Sequence, residues 1–258
     1  MPIDIAHVEL FVLVFIRVAS ALAVLPVFSH GAVTPMVKAA LSAAIALLLV
    51  PTLTSGLPAT SGTLPDFFLL AIRETLCGIL LGFAGQFLFY AIDIGGQLIG
   101  FQAGFSIVAS IDPNTETQST VLTQVYNLTA ILVFLAIDGH HTMLRAVADS
   151  FHSIPIGGLA VGSSLSEWTL NAAKTALADG IRLAAPIMVT LLLTDVGLGI
   201  LVRVAPQMNI FVVGFPLKIG ITLIMIGTTL GSVIAIFTAQ YAEFGRQIPG
   251  FLRLLTTP

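Results

Sequence analysis

An all-α membrane protein is the fold class that the sequence predicts, and three observations predict it. Of the 258 residues, 57% are apolar and only 9% are charged, whereas a soluble domain carries about 25% charged residues. The mean hydropathy is +1.03, so too few polar side chains are present to cover the surface of a soluble globule. The apolar residues also form long runs without Asp, Glu, Lys or Arg, which are typical of membrane-spanning helices.

Prolines and loops divide the chain into about six hydrophobic helices. Pro26 and Pro51 end the first two runs, because proline lacks the backbone N–H that a helix interior needs. Stretches rich in Gly, Ser, Thr and Pro mark the surface loops. A shorter amphipathic stretch follows the fourth run and reaches about residue 153. The predicted hydrophobic helices are 10–25, 36–50, 67–92 continuing as 94–108, 121–137, 169–202 and 219–242.

A polar break, ASIDPNTETQST, occupies residues 109–120. Its DPN tripeptide is a strong turn signal. The TETQ that follows fits a capping box with Thr115 as N-cap and Gln118 as N3, so a helix is expected to start near 116. Before the break, Phe101 and Phe105 share one helical face. The break is either an exposed loop or part of a pore, where non-helical backbone is tolerated at membrane depth.

Charged residues interrupt or flank most of the apolar runs. Each costs about 2.5–3.5 kcal/mol at the centre of a span, so it has to be paired or has to face protein or water. We expect Asp195 to form a buried pair, with a functional role and an interfacial position as the alternatives. Arg73 and Glu74 are neighbours that point about 100° apart, which places their partners on other helices or other subunits. The charges expected at the membrane interface are Arg17, Lys38 and Lys218.

Enzyme chemistry has little support in the sequence. Residues 138–141 read DGHH, but adjacent histidines point to different sides of a helix, and zincin-type zinc sites need His at i and i+4. We predict a helix end here, with both histidines at the interface, and no catalytic, cofactor or metal site. An intramembrane hydrolase using Asp138, His140 and His141 is one alternative. Cys77 lies in an apolar run and is predicted to be a small buried hydrophobe.

Two further patterns concern helix packing. Glycines recur four residues apart, a spacing that allows close approach of helices within the chain or between chains. The stretch RVAPQMNIFVVGFPLK, residues 203–218, is too apolar for an ordinary loop and too interrupted for an ordinary span. The repeated glycines are Gly78 with Gly82, Gly96 with Gly100 and Gly104, and Gly227 with Gly231.

Three stretches together resemble the FliR family, the flagellar type III export-gate proteins with relatives in virulence-associated secretion. They are GGQLIGFQAGFSIVASIDP (95–113), DGHH followed by SFHSIPIG (138–141 and 150–157), and PIMVTLLLTDVGLGILVRVAPQMNIFVVGFPLK (186–218). The resemblance covers nearly the whole chain, and the R-x-A-P-Q-M-N-x-F segment is its most specific part. The flagellar branch is favoured over the virulence branch.

This resemblance implies one export-gate domain over residues 1–258, with a FliP-like N-terminal part and a FliQ-like C-terminal part. The domain would consist of bent helical hairpins packed in a hetero-oligomer with FliP and FliQ, in contact with FlhB. Unfolded flagellar subunits would pass through its centre. The implied location is the bacterial inner membrane at the flagellar basal body. We expect fewer true spans than hydropathy suggests, because neighbouring subunits would replace lipid around several helices.

The resemblance also implies two sets of site residues. A plug at the narrow point of the closed channel maps onto the polar break and the phenylalanines before it: Phe101, Phe105, Ser106, Ile107, Ser110, Asp112, Pro113, Asn114, Glu116 and Gln118. Contacts to other subunits are assigned to Asp195, Arg203, Pro206, Gln207, Asn209, Phe211, Pro216 and Lys218, with residues 206–216 forming a kinked turn between helices. A small-molecule secondary transporter is the main alternative function, since it would also explain interrupted helices and buried charges.

Overall fold

The computed structural model describes residues 5–29, 33–53, 63–105, 121–207 and 209–256. Within these ranges the chain forms α-helices and no β-strand, which confirms the predicted all-α class. The described ranges contain eight helices: α1 (Ile5–Val24), α2 (Pro26–Ser29), α3 (Pro35–Leu53), α4 (Leu64–Ala103), α5 (Val121–Ala136), α6 (Gly139–Ser153), α7 (Ser163–Val204) and α8 (Ile210–Leu254).

Five of these helices, α1, α3, α4, α7 and α8, are long and apolar enough to cross a membrane. The pair α5 and α6 together provides a sixth candidate, bent by 69° at the residues between them. Asp138 lies at this bend with φ of 56°, a left-handed conformation in which Asp is one of the few non-glycine residues found. About six hydrophobic helices were expected, and the described residues confirm that number.

The helix boundaries follow ordinary capping chemistry. Pro26 and Pro35 are the first residues of α2 and α3, a position where the missing proline N–H has no helical partner to lose. Thr63 precedes α4; its hydroxyl oxygen accepts the Asp66 N–H at 3.4 Å, and its O–H donates to the Asp66 carboxylate at 2.6 Å. These contacts satisfy an N-terminal backbone donor of a 40-residue helix.

The last two helices are longer than the uncharged runs that predicted them. Helix α7 begins at Ser163 rather than 169, and α8 extends from Ile210 to Leu254 rather than over 219–242. The C-terminal extension of α8 carries charges that are compatible with a helix, because Glu243 and Arg246 pair at i,i+3. The uncharged runs therefore located the centres of these two helices but underestimated their lengths.

The chain packs as two compact units, each assembled from separated stretches. The first contains residues 1–87, 138–172 and 242–258. Its hydrophobic core includes Cys77, which is fully buried as predicted. Around it lie buried residues from α4, α7, α8 and the segment after α6: Leu81, Ala84, Ile154, Leu165, Phe251, Leu252 and Leu255. Trp168 stacks against Phe251 with ring centroids 4.4 Å apart, so the start of α7 lies beside the end of α8 in this unit.

Helices α1 and α4 approach closely in the first unit because α4 presents glycines at the crossing. A Cβ on Gly78 would overlap the Ser20 hydroxyl and the Arg17 carbonyl, and would lie 2.9 Å from the Ala21 nitrogen. A Cβ on Gly82 would meet Val24 at 2.6 Å. The predicted use of this glycine pair for tight packing is confirmed, and the packing is within the chain.

The second unit contains residues 88–137 and 173–241. Phe89 of α4 packs edge-to-face against Phe134 of α5 and Phe237 of α8, with centroids 5.6 and 5.4 Å apart. A Cβ on Gly96 would lie 2.8 Å from the Thr123 Cα, and one on Gly180 would lie 2.9 Å from the Ala91 carbonyl oxygen. The C-terminal part of α4, all of α5 and most of α7 and α8 therefore form this unit, and glycines again set the helix separations.

Candidate functional site

The buried charge of the first unit is a pair between α1 and α4. Arg17 is fully buried and Glu74 is 1% exposed. The Arg17 Nε donates to Glu74 Oε2 at 2.5 Å, and a second guanidinium nitrogen donates to Oε1 at 3.1 Å. The expectation that Arg17 lies at the membrane interface is wrong. The guanidinium stays buried because Glu74 on the neighbouring helix neutralises its charge. The sequence alone does not reveal this partner, because Glu74 lies 57 residues away from Arg17.

This ion pair also holds the segment that follows α6. Arg17 Nη1 donates to the Ile154 carbonyl at 3.0 Å and to Ser150 Oγ at 3.3 Å. Glu74 Oε1 accepts the Gly157 N–H at 2.8 Å, and Arg73 donates to the Gly157 carbonyl at 2.8 Å. The partners of Arg73 and Glu74 lie outside their own helix, as predicted. The cluster satisfies its charges with protein groups, as expected of a structural ion pair.

The charged centre of the second unit is Asp195 on α7. Its Oδ1 lies 2.6 Å from the Lys218 Nζ of α8, and its Oδ2 accepts a hydrogen bond from the Gln102 Nε2 of α4 at 3.0 Å. One carboxylate therefore joins three helices. The prediction that the Lys218 side chain extends to the interface is wrong, since this side chain is only 16% exposed and its charge is paired. Asp195 forms the expected pair on another helix, although its side chain is 41% exposed.

Two more polar contacts join apolar helices in the same unit. Asp179 of α7 accepts a hydrogen bond from Gln240 of α8 at 2.6 Å. Asp93 of α4 accepts one from Asn127 of α5 at 2.8 Å. Each carboxylate is bonded by a neutral amide of a neighbouring helix, which lowers the cost of a charge in an apolar surrounding.

Helix α4 ends beside Asp195. Gly104 has φ of +89° and its N–H donates to the Phe101 carbonyl at 3.1 Å. A Cβ at Gly104 would lie 2.8 Å from the Phe215 ring, so both conformation and space require glycine here. Of the predicted plug residues, Phe101 is 71% exposed and Phe105 is half-buried. Ser106, Ile107, Ser110, Asp112, Pro113, Asn114, Glu116 and Gln118 lie outside the described residues.

A cavity of about 380 Å³ lies at this end of α4. Polar groups of Gln102, Asp195 and Lys218 border it, and the remaining wall is apolar or glycine. Its other lining residues are Phe101, Gly104, Leu198, Gly199, Ile210, Gly214 and Phe215.

The predicted subunit-contact segment is mostly helix. Helix α7 ends at Val204 and α8 begins at Ile210, so only the residues between them form the turn. The prediction of a turn over 206–216 is wrong in its second half, because Pro216 lies inside α8. Arg203, Pro206, Gln207, Asn209 and Pro216 are exposed. Phe211 belongs to α8, and its side chain lies outside the described part of the structure. The backbone carbonyl of Asn209 accepts the Val212 N–H at 3.1 Å and so begins α8.

The DGHH stretch brings its side chains closer than expected. Ligand atoms of Asp138, His140 and His141 lie within 4.8 Å of one another, and the two imidazole centroids are 4.2 Å apart. The argument that adjacent histidines diverge is therefore wrong at this helix start. The Asp138 and His141 side chains are 75% and 61% exposed, and the start of α6 carries the positive end of a helix dipole, which disfavours a cation.

Three residues that line the cavity at the end of α4 were not predicted from the sequence as site residues. Gln102 and Phe215 are not among the candidate site residues, and Gly104 was noted only for its spacing. Gln102 had a signal, since it is a polar side chain in an apolar helical run two residues before Gly104. The contact of Phe215 with Gly104 had none, because it depends on how two distant helices pack.

Comparison with known proteins places this geometry in a family. Residues 8–244 match the family described as bacterial export proteins, family 1. The flagellar biosynthetic protein FliR of Pectobacterium carotovorum subsp. carotovorum is 36% identical over 220 residues, which cover 84% of this chain and 82% of that relative. The FliR of Escherichia coli (strain K12) is 35% identical over 212 residues, covering 81% of this chain and 80% of that relative.

A more distant bacterium carries a similar protein. The FliR of Bacillus subtilis (strain 168) is 33% identical over 219 residues, which cover 84% of each chain. The matched residues 8–244 include α2 to α7 completely and most of α1 and α8. With its long apolar helices, this chain is a membrane protein of bacterial export. It belongs to the FliR family.

Proposed function

We propose that this chain is a non-enzymatic core component of the flagellar type III protein export gate. With FliP and FliQ it would form the channel through which unfolded flagellar subunits are exported, and it would contact FlhB. One observation carries the proposal: relatives named as flagellar biosynthetic proteins align with this chain over four-fifths of both lengths. We place the chain in the bacterial inner membrane at the flagellar basal body.

Open helix surfaces support packing against other subunits. A Cβ on Gly227 or Gly231 of α8 would meet nothing within 4 Å, in contrast to Gly78 and Gly82 of α4. Among the described residues the third glycine pair therefore packs against no other helix, and helices of neighbouring subunits would be able to approach it closely. The exposed residues of the α7–α8 turn, together with Asp195 and Lys218, would contact the same neighbours. We assign the N-terminal part of the chain to a FliP-like role and the C-terminal part to a FliQ-like role.

Native mass spectrometry of the complex tests this proposal. The complex would be extracted from its host in mild detergent through a tag on this chain. We expect one copy of this chain together with several copies of two other small hydrophobic proteins. A lone chain or a homo-oligomer would contradict the export-gate assignment.

Deleting residues 110–118 is expected to make the membrane leaky to ions. We propose that the stretch from Phe101 to Gln118 seals the resting channel, because a seal requires an apolar or tightly packed constriction that ions do not wet. Ion flux into vesicles that carry the assembled complex measures the effect. Native mass spectrometry must first give the same subunit composition for the deletion and the unmodified chain. Unchanged flux in a normally assembled complex would contradict the plug.

A secondary transporter is the second candidate, and the cavity at the end of α4 favours it. That cavity combines apolar walls with the polar groups of Gln102, Asp195 and Lys218, as small-molecule sites do. A transporter would function as a single chain or a homo-oligomer, so the same mass-spectrometric experiment distinguishes the two functions.

A further inference from the structure

Two described contacts join the last turn of α4 to α7 and α8, in addition to the buried side chains of Ile99 and Ala103. The strongest is the hydrogen bond from Gln102 to the Asp195 carboxylate at 3.0 Å. The other is the packing of Gly104 against the Phe215 ring. Beside them the cavity of about 380 Å³ removes packing partners from the same stretch. Phe101 is 71% exposed and borders that cavity, so packing holds this side chain less firmly than the buried Ile99 and Ala103.

The end of α4 is hydrogen-bonded to the α7–α8 hairpin, and other contacts hold the two helices of this hairpin together. Helices α7 and α8 are joined by the Asp195–Lys218 ion pair at 2.6 Å and by the Asp179–Gln240 hydrogen bond at 2.6 Å. Gly214 of α8 also lies close to Leu198 of α7. Gln102 can therefore leave Asp195 while α7 and α8 stay paired, because Lys218 continues to neutralise the carboxylate.

We propose that Gln102 is a positioning residue and that its bond to the Asp195–Lys218 pair is a latch on the resting channel. The latch holds the end of α4, with Phe101 and Phe105, in the sealed arrangement, and its release frees that end to move. This inference rests on the proposed function, since it assigns the control of the seal to one hydrogen bond between described residues. Asp195 and Lys218 then act within this chain, in addition to any contact with other subunits.

The test is the ion conductance of the assembled complex with Gln102→Leu. Leucine removes the donor, and we expect the resting conductance to rise about tenfold, because a lost hydrogen bond to a charged group shifts a two-state equilibrium by at least about that factor. The matched control is Gln97→Leu on the same helix. Gln97 is exposed and bonds within its own helix to Asp93 at 3.4 Å, so this change should leave the conductance unaltered.

Two further variants separate the latch from a general disturbance of packing. Gln102→Lys keeps a donor within reach of Asp195 and should restore low conductance. Gln102→Glu keeps the side-chain volume but places a second carboxylate beside Asp195, so it should leak like Gln102→Leu. Each complex is first compared with the unmodified one by native mass spectrometry. If both Gln102→Leu and Gln102→Glu fail to assemble, Gln102 is structural and the latch is overturned.

The deletion of residues 110–118 separates this inference from the proposed function. If the deletion leaks and Gln102→Leu does not, the latch is wrong and the channel seal stands. If neither leaks, both are wrong. If Gln97→Leu leaks as much as Gln102→Leu, any change in this part of α4 disturbs the seal and the latch is again overturned.

Discussion

Replacing Glu74 with alanine is expected to lower the free energy of unfolding by about 3–5 kcal/mol, because it leaves a fully buried guanidinium without a counter-ion. Arg17 would keep only neutral acceptors, the Ser150 hydroxyl and the Ile154 carbonyl. The Phe151 ring, 4.2 Å from the guanidinium carbon, adds a weak attraction but no charge. Reversible unfolding of the purified chain in mild detergent, followed by circular dichroism, measures the loss.

Two controls define what this loss means. Glu243→Ala breaks an exposed i,i+3 pair with Arg246 on α8 and should leave stability nearly unchanged. The double change Arg17→Met with Glu74→Leu removes both charges and should recover most of the stability lost in Glu74→Ala, since burial of a pair is itself costly. Equal effects of Glu74→Ala and Glu243→Ala would show that the buried pair is not a stabilising contact.

Gly78→Ala is expected to have the second largest effect. The added methyl would overlap the Ser20 hydroxyl and the Arg17 carbonyl, and a backbone carbonyl cannot rotate away. Helices α1 and α4 would have to separate, which costs about 1–3 kcal/mol for an overpacked core and more where backbone must move. Alanine gains about 1 kcal/mol over glycine in helix propensity, which offsets only part of that cost.

Gly227→Ala provides the matched comparison for Gly78→Ala. Both glycines belong to a pair spaced four apart in a long apolar helix, but a Cβ on Gly227 would meet nothing within 4 Å. The isolated chain should therefore gain up to about 1 kcal/mol from helix propensity alone. Thermal unfolding of both variants in the same detergent measures the difference. A similar loss in the two would mean that helix conformation, rather than the α1–α4 contact, decides the effect.

The helices were predictable because hydrophobic runs and prolines report local structure directly. Pro26 follows the end of α1 as predicted, and α5 begins and ends within a few residues of its predicted run. The prediction that Pro51 ends the second helix is wrong, because Pro51 lies inside α3, which continues to Leu53. The extension of α8 beyond 242 was not predictable from charge-free runs, because Glu243 and Arg246 end the run without ending the helix. Hydrophobicity therefore identified the elements more reliably than it located their ends.

The sequence predicted that the buried charges need partners, but it did not predict which residues those partners are. A charge in an apolar run must be neutralised, which correctly placed the partner of Asp195 on another helix. The identity of that partner was not accessible, since Lys218 follows Asp195 across a turn and Gln102 lies far earlier in the chain. Arg17 shows the same limit, because it was predicted to be an interfacial residue, whereas it lies inside α1 and pairs with Glu74 of α4. Pairing across long sequence separations is decided by helix packing, which a residue pattern does not contain.

The Arg17 cluster also has a consequence for synthesis of the chain. Arg17 and Glu74 are separated by 57 residues, whereas Ser150 lies 133 residues beyond Arg17. Ribosomes add about 5–20 residues per second, so several seconds pass between the appearance of Glu74 and that of Ser150. During that interval the growing chain has an ion pair whose remaining hydrogen-bond partners do not yet exist. A nascent chain that stalls before Ser150 therefore carries, within an apolar helix, a cation that lacks part of its hydrogen-bond partners.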